Sequence, residues 1–361
     1  MNPDTDIVWV GSRKGLEHDL VRRAGLPFET VAGGQIAGVG VLRAAINLAR
    51  MAAGLAHARR LIRRFRPDVL LITGGWVTVP VTLAAQMYHV PIVIFLPDIE
   101  PGSAIRTLSR FATRVATVTD QSAAHFPPGQ AVTTGYPVRP ALLRAAGYDA
   151  AGRPTRPLPK ADAVRGFDLN PDYPTALVFG GSRGARSINQ ALAAILPDLL
   201  PDCQVIAISG TLDWPQVEAA SAALPGNLRA RYRPYPYLHD EEMAQALAAA
   251  GMVVARAGAG ALGEFPLFGL PAILVPYPHA WRYQKVNADY LAERGAAVRL
   301  DDARLALDLL PTLRRLLADE PARRTMAEKA HALAVPDAAR RVADILATLG
   351  AATQESRGTT T

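Results

Sequence analysis

The apolar positions of this chain fall into short runs separated by longer amphipathic stretches, a rhythm that alternates strand and helix. In the first half, strands are expected at Ile7–Val10, Phe28–Val31, Val69–Ile72, Ile92–Leu96, Val115–Val118 and Ala131–Thr134. Helices are expected at Glu17–Ala24, Val41–Phe65, Pro80–Tyr88 and Ala104–Phe111. From Leu142 to Pro174 the pattern dissolves among prolines and glycines, which reads as an interdomain connection with a short helix near Ala161–Val164. A second alternating run places strands at Ala176–Phe179, Val205–Ser209, Leu228–Tyr232, Met252–Ala255, Ala272–Pro276 and Ala297–Leu300. A last helix is expected over about Asp337–Leu349. The pattern predicts two α/β halves, each a parallel sheet with helices on both faces, with ligand between them near the C-terminal strand ends.

The boundaries that follow are 1–141 for the first domain, 142–174 for the linker and 175–335 for the second domain. A C-terminal helix at 336–350 and a polar, disordered tail at 351–361 complete the division. The uncharged stretch Val69–Pro97 is long enough to span a bilayer, but Gly74, Gly75, Pro80 and Pro91 punctuate it. Strand, turn, helix, turn and strand is the better reading.

Charge sharpens the contrast between the halves. Residues 1–145 hold 16 Lys and Arg against 9 Asp and Glu, a balance of +7 that equals the net charge of all 361 residues. The basic character therefore belongs to the first half, and suits an anionic surface or acceptor. There is no nucleic-acid signature and no metal-ligand cluster, so neither nucleic acid nor a metal is expected as a partner. The single cysteine, Cys203, cannot form an internal disulfide, and the N-terminus lacks the basic region of a signal peptide.

Two glycine-rich turns carry the chemistry. Gly180-Gly181-Ser182-Arg183-Gly184 follows one expected strand, and Arg256-Ala257-Gly258-Ala259-Gly260 follows another, each leading into a helix. Such turns present free backbone N–H groups at the positive end of a helix dipole and so favour a diphosphate. Glu264 follows one turn inside the second helix, suited to hydrogen-bond a ribose diol or, more simply, to answer the dipole. Gln284 and Asn287, three apart on the next helix, share a face on which amides can read sugar hydroxyls. The long helix Val41–Phe65 carries Arg43, Arg50, His57 and Arg64 at seven-residue spacing, with Arg60 among further arginines. It fits either an anionic membrane surface or a buried helix with one solvated face.

On these residues the chain resembles the MurG family of UDP-N-acetylglucosamine transferases, GT-B enzymes of glycosyltransferase family 28. The matching stretches are Val178-Phe-Gly-Gly-Ser-Arg-Gly-Ala-Arg-Ser-Ile-Asn-Gln190, Arg256-Ala-Gly-Ala259 with Glu264, and Gly269-Leu-Pro-Ala272. Val275-Pro-Tyr-Pro-His279, Gln284 with Asn287-Ala288, Gly74-Gly-Trp-Val-Thr78, Gly135-Tyr-Pro-Val-Arg139 and Val335-Pro-Asp-Ala338 also match. The resemblance implies a GT-B fold of two Rossmann-like domains facing a cleft. It implies inverting transfer of N-acetylglucosamine from its UDP donor to the C4 hydroxyl of the muramyl sugar of lipid I, with no cofactor. Gly180, Gly181, Ser182 and Gly184 would hold donor phosphate, with Ala257, Gly258 and Ala259 in the second turn. Glu264 would bind ribose, Arg139 and the backbone near Leu238 would lie beside uracil, and Gln284 and Asn287 would contact the sugar. Gly74, Gly75, Trp76 and Thr78 would shape the acceptor side. The implied place is cytoplasmic, peripheral on the inner face of a bacterial plasma membrane, reached through Arg43, Arg50, Arg60 and Arg64.

The chain departs from the family pattern twice. The family's first strand and Gly-Gly-Thr-x-Gly-His loop, with a histidine often proposed as base, have no match here. Its His-Glu-Gln-Asn stretch is replaced by Pro97-Asp98-Ile99-Glu100-Pro101-Gly102. Asp98 and Glu100 are the remaining candidates for the general base, although Asp98 also suits a turn or helix cap. His18 reads as a helix-surface residue and His279 as part of the donor loop. Two rival readings stay open: a GT-B enzyme with another acceptor, and a UDP-sugar-binding protein inactive without that first loop.

Overall fold

The computed structural model describes residues 5–12, 17–34, 40–181, 184–279 and 283–358. The chain forms two compact units, residues 1–134 with 341–361, and residues 135–340.

In the first unit, β1 (Trp9–Gly11) and β2 (Phe28–Thr30) pair in parallel around α1 (Glu17–Arg23). A four-stranded parallel sheet follows, in the order β3 (Leu70–Ile72), β4 (Ile92–Leu96), β5 (Arg114–Thr117), β6 (Ala131–Thr133). Its helices are α2 (Val41–Phe65), α3 (Thr78–Met87), α4 (Ser103–Leu108) and α5 (Asp120–Ala123). Ile72, Ile92, Ile94 and Leu96 of the sheet pack with Ala58 and Ile62 of α2 and Val81, Ala84 and Ala85 of α3. The stretch Val69–Pro97 is thus β3, α3 and β4, and no helix among the described residues is long and apolar enough to cross a membrane.

The second unit holds one parallel sheet of six strands. They are β7 (Thr175–Phe179), β8 (Gln204–Ile208), β9 (Tyr232–Tyr235), β10 (Met252–Ala255), β11 (Ala272–Leu274) and β12 (Ala297–Arg299). The spatial order is β12-β11-β10-β7-β8-β9. The chain builds outward from β7 through β8 and β9, then returns to β10 on the other side. That reversal between β7 and β10 is the topological switch point of a doubly wound sheet, where such folds bind ligand. The helices are α6 (Pro140–Ala145), α7 (Lys160–Arg165), α8 (Arg186–Leu199), α9 (Trp214–Ala222), α10 (Gly226–Arg229), α11 (Asp240–Ala249) and α12 (Glu264–Leu267). After them come α13 (Tyr283–Glu293), α14 (Leu305–Ala318) and α15 (Glu320–His331), and the final helix, α16 (Ala338–Gly358), belongs from Arg341 onward to the first unit.

Four differences from the sequence-based expectation go beyond a residue or two at an element's end. The units part at Gly135, not at 141/142. Gly135 has φ +82°, and a Cβ there would lie 2.5 Å from Val335, so only glycine fits. Residues 142–174 are not an open linker: Leu142 and Leu143 of α6 and Ala163 and Val164 of α7 are buried within the second unit. Strand β9 begins where the expected Leu228–Tyr232 ends, because Pro225 starts the turn of α10. Pro234 is tolerated in β9 because it is an edge strand. Helix α16 continues through the expected disordered tail to Gly358. Gln354 donates to Asp68 at 2.8 Å, and Arg357 donates to Asp68 at 2.9 Å and to the Arg66 and Pro67 carbonyls, which satisfies the polar residues of that segment.

Candidate functional site

The two glycine turns leave the C-terminal ends of β7 and β10, the neighbouring strands on either side of the switch point. In the first, Gly181 and Gly184 have φ of +89° and +75°. A Cβ on Gly184 would meet the Ser209 carbonyl at 2.3 Å, and one on Gly180 would meet the Ala185 nitrogen at 2.2 Å. Larger residues are excluded, and the backbone is free to approach a ligand. Gly184 N–H donates to the Gly181 carbonyl at 2.9 Å and closes the turn. Helix α8 then begins with no side-chain cap, so its first amides remain available to an anion. Ser182 lies outside the described residues.

The second turn runs through Ala257 and Gly258 into a 3-10 turn at Ala259–Leu262, and only then into α12. Glu264 is therefore the first residue of a four-residue helix, not one turn inside a longer one. Its carboxylate accepts a hydrogen bond from Arg139 at 3.3 Å, and Arg139 also donates to Asp240 at 2.5 Å. Burial pushes the Glu264 carboxyl above its ordinary range, while the facing Arg139 guanidinium pulls it back. Buried Leu238 lies two residues before Asp240, so the segments of Arg139, Leu238 and Glu264 converge.

The amide pair on α13 divides. Gln284 accepts from the Tyr277 N–H at 2.8 Å through Oε1 and pins the loop after β11. Asn287 is fully buried and donates to the Ala257 carbonyl at 3.2 Å. It holds the second glycine turn from behind and is not presented to a sugar, which corrects the expectation for that residue.

A clamp that the sequence did not reveal joins both turns. Arg256 donates to the Val275 and Pro276 carbonyls at 3.1 and 3.3 Å, to Asp302 at 2.5 Å, and to Ser187 Oγ at 2.8 Å. Ser187, on the first turn of α8, donates to the same Asp302 oxygen at 2.7 Å. The ion pair is largely buried, with side-chain exposures of 9% and 20%. One signal was available: an arginine placed directly after four buried strand residues must find partners. A second brace joins α8 to the end of β8, where Asn189 donates to the Ser209 carbonyl and to Asp213, each at 2.9 Å.

In the first unit, the Gly74–Thr78 loop leaves β3 with φ of +109° at Gly74 and +87° at Gly75. Thr78 Oγ1 donates to the Gly75 carbonyl at 2.6 Å, which closes the loop onto α3. The Trp76 carbonyl lies 2.8 Å from where a Gly33 Cβ would be, so the loop after β2 packs alongside. Asp98 and Glu100 follow β4 and are half-buried around the fully buried Ile99. Because β3 and β4 pair in parallel, both carboxylates and the Gly74–Thr78 loop occupy the same end of the sheet. His18 is exposed and sits edge-on to Phe28, with ring centroids 4.9 Å apart, and His279 sits edge-on to Tyr277 at 5.5 Å.

On α2, Arg50, Arg59, Arg60, Arg63 and Arg64 are exposed, with Ile46 and Leu48 exposed near its N-terminal end. Arg64 forms an ion pair with Glu29, which removes part of its charge from any surface function. The Arg43 side chain lies outside what is described. No group of three or more His, Cys, Asp or Glu side chains among the described residues is arranged to hold a metal ion.

Comparison with known proteins agrees with this geometry. The model of the glycosyltransferase family 28 N-terminal domain matches residues 1–117, and that of the C-terminal domain matches residues 175–342. The chain is 41% identical, over 95% of its length and 83% of the relative's, to the UDP-N-acetylglucosamine–N-acetylmuramyl-(pentapeptide) pyrophosphoryl-undecaprenol N-acetylglucosamine transferase of Roseiflexus sp. (strain RS-1). The enzyme of the same description from Desulforudis audaxviator is 37% identical over 96% of this chain and 90% of that one. The crystal structure of Acinetobacter baumannii MurG superposes with a TM-score of 0.72 at 24% identity, covering 95% of this chain and 91% of that one. The chain belongs to glycosyltransferase family 28, as a MurG-type enzyme of GT-B fold.

Proposed function

We propose that this protein transfers N-acetylglucosamine from UDP-N-acetylglucosamine to N-acetylmuramyl-(pentapeptide) pyrophosphoryl-undecaprenol, a step of peptidoglycan synthesis. The observation that carries the reading is the pair of glycine turns at the adjacent ends of β7 and β10, with Glu264 directly beyond the second. Departing UDP carries its new charge on the diphosphate, and uncapped helix amides are a fixed donor set for it. In this reading Gly180, Gly181, Ser182 and Gly184 hold the diphosphate, Glu264 accepts from the ribose hydroxyls, and Arg139 and Leu238 border the base. Gln284 keeps an amide NH₂ for the sugar. Asp98 takes the proton from the attacking acceptor hydroxyl, with Glu100 beside it. The exposed arginines of α2 rest on an anionic membrane surface, where a polyprenyl-linked acceptor resides.

The test has two arms. Purified protein is given UDP-N-acetylglucosamine with the lipid-linked acceptor, and again with diacylglycerol. Turnover with the first alone is expected; turnover only with the second makes it a related enzyme with another acceptor. Glu264→Ala should weaken UDP binding by about 10- to 100-fold, the loss of one or two hydrogen bonds to a charged group. Calorimetric UDP affinity equal to that of the unaltered protein would overturn the donor site placed here.

A further inference from the structure

The second unit holds another concavity, at the opposite end of its sheet from the glycine turns. Its floor is formed where Gly251 leads into β10 and Pro271 leads into β11, at the N-terminal ends of those strands. Its volume of about 500 Å³ is that of a small-molecule site. Leu158 and Phe268 are the accessible apolar side chains of its lining, backed by the buried Leu247, Leu267 and Leu270. One face of α15 closes it with Glu320, Arg323, Arg324, Ala327 and His331, spaced as a helix face requires.

The charge in this cavity is one-sided. Lys160, the first residue of α7, is exposed overall but turns its ammonium inward, 3.2 Å from where a Gly251 Cβ would be. No carboxylate pairs with it among the described residues. Its pKa is pushed down, first by burial and then by the like charge of Arg323. Arg323 spends its own donors on the Leu316 and Leu317 carbonyls and has no acidic partner either. The one carboxylate of the lining, Glu320, stands 3.8 Å from Arg324, with both side chains about three-quarters exposed.

From this combination of a partly apolar cavity and an inward, unpaired ammonium we infer that the cavity is a binding site for a small amphipathic carboxylate. Its chain would lie against Leu158 and Phe268, and its anionic head would meet Lys160. The site is separate from the donor turns, and its occupant need not take part in transfer.

Isothermal titration of the full chain with octanoate, octanol and inorganic phosphate tests the inference. Octanoate should bind saturably at one site, at least about fivefold tighter than either probe that carries only half of its chemistry. Lys160→Met should weaken octanoate about fivefold or more and leave octanol unchanged, the loss of one charge-assisted hydrogen bond. Ala327→Trp, which fills the chamber from α15, should abolish octanoate binding while UDP binding is kept. Failure of octanoate to saturate would overturn the site. So would phosphate binding as tightly as octanoate, or octanoate binding unchanged in both variants. None of these readouts depends on the donor assignment, since Glu264→Ala should not alter octanoate binding.

Discussion

The two units follow one parallel α/β plan but close it differently. Residues 135–340 carry an unbroken sheet of six strands, and β8 and β10 within it are buried at every position. The first unit has its strands in separate sheets of two and four. Trp9 of β1 and Leu71 of β3 are each 41% exposed, although parallel strands normally have both faces covered. In the second unit the proposed donor contacts are backbone amides of the first glycine turn, where Gly180 and Gly184 leave no room for a side chain, with the second turn braced by Asn287 and Arg256. In the first, the proposed chemistry would rest on loop residues: Asp98, Glu100 and the Gly74–Thr78 segment. In the proposed reading, donor recognition is thus built into the main chain, whereas acceptor chemistry would depend on individual side chains that mutation can remove without disturbing the sheet.

The sharpest way to break this contrast is Asp98→Asn. If the first unit supplies the base, turnover should fall about 10²- to 10⁴-fold, the range for a lost general base, with UDP affinity unchanged. Glu100→Gln should cost less. Steady-state rates and UDP titration, measured on both variants, separate the outcomes. A larger loss for Glu100→Gln would transfer the role to Glu100, and full turnover in both would remove the base from this loop.

The next effect belongs to the other side of the comparison. Arg256→Ala takes the cation from Asp302, leaving it only Ser187, and removes the contacts that tie α8 to the ends of β10 and β11. Breaking a buried pair by deleting one partner costs about 3–5 kcal/mol, and that loss should be visible in urea unfolding. UDP affinity should fall in the fraction that stays folded, because both turns lose a common anchor. A stable variant with unaltered UDP binding would mean that the turns hold their shape without the clamp.

These two residues also mark where sequence reasoning stopped. Strands β4 and β10 and helix α2 could be read to their terminal residues, because apolar runs bounded by proline and glycine leave little choice. The glycine turns were legible for the same reason, since spacing and strand context together specify a strand-to-helix turn. Partnership across distant segments was not. Arg256, Ser187 and Asp302 lie up to 115 residues apart, and nothing local to any of them names the others. Asn287 illustrates the reverse case: helical spacing put it beside Gln284, but burial gave it to the Ala257 carbonyl. The packing of 142–174 was hidden because proline and glycine signal a turn equally well when that turn lies against a core. Segment 351–358 looked like free tail because its helix is held by Asp68 and the carbonyls of Arg66 and Pro67, about 290 residues away in sequence.

The smallest effect concerns the charge that sets the first unit apart. A cation near an anionic membrane surface contributes enough that removing Arg60 should weaken binding to vesicles of phosphatidylglycerol about fivefold at low salt. Arg64→Ala should cost less, because Glu29 already partners that guanidinium. Leu48→Ala should weaken binding by a salt-independent amount, since it removes buried apolar area and not charge. Raising the salt to molar concentration shrinks the screening length to about 3 Å and should erase the Arg60 effect while leaving that of Leu48. Vesicle co-sedimentation at two salt concentrations reads all three. Equal losses for Arg60 and Arg64 would show that Glu29 gives up its partner at the membrane. An unchanged Arg60→Ala would return α2 to a solvated helix face, and the two units would then differ only in how their sheets close.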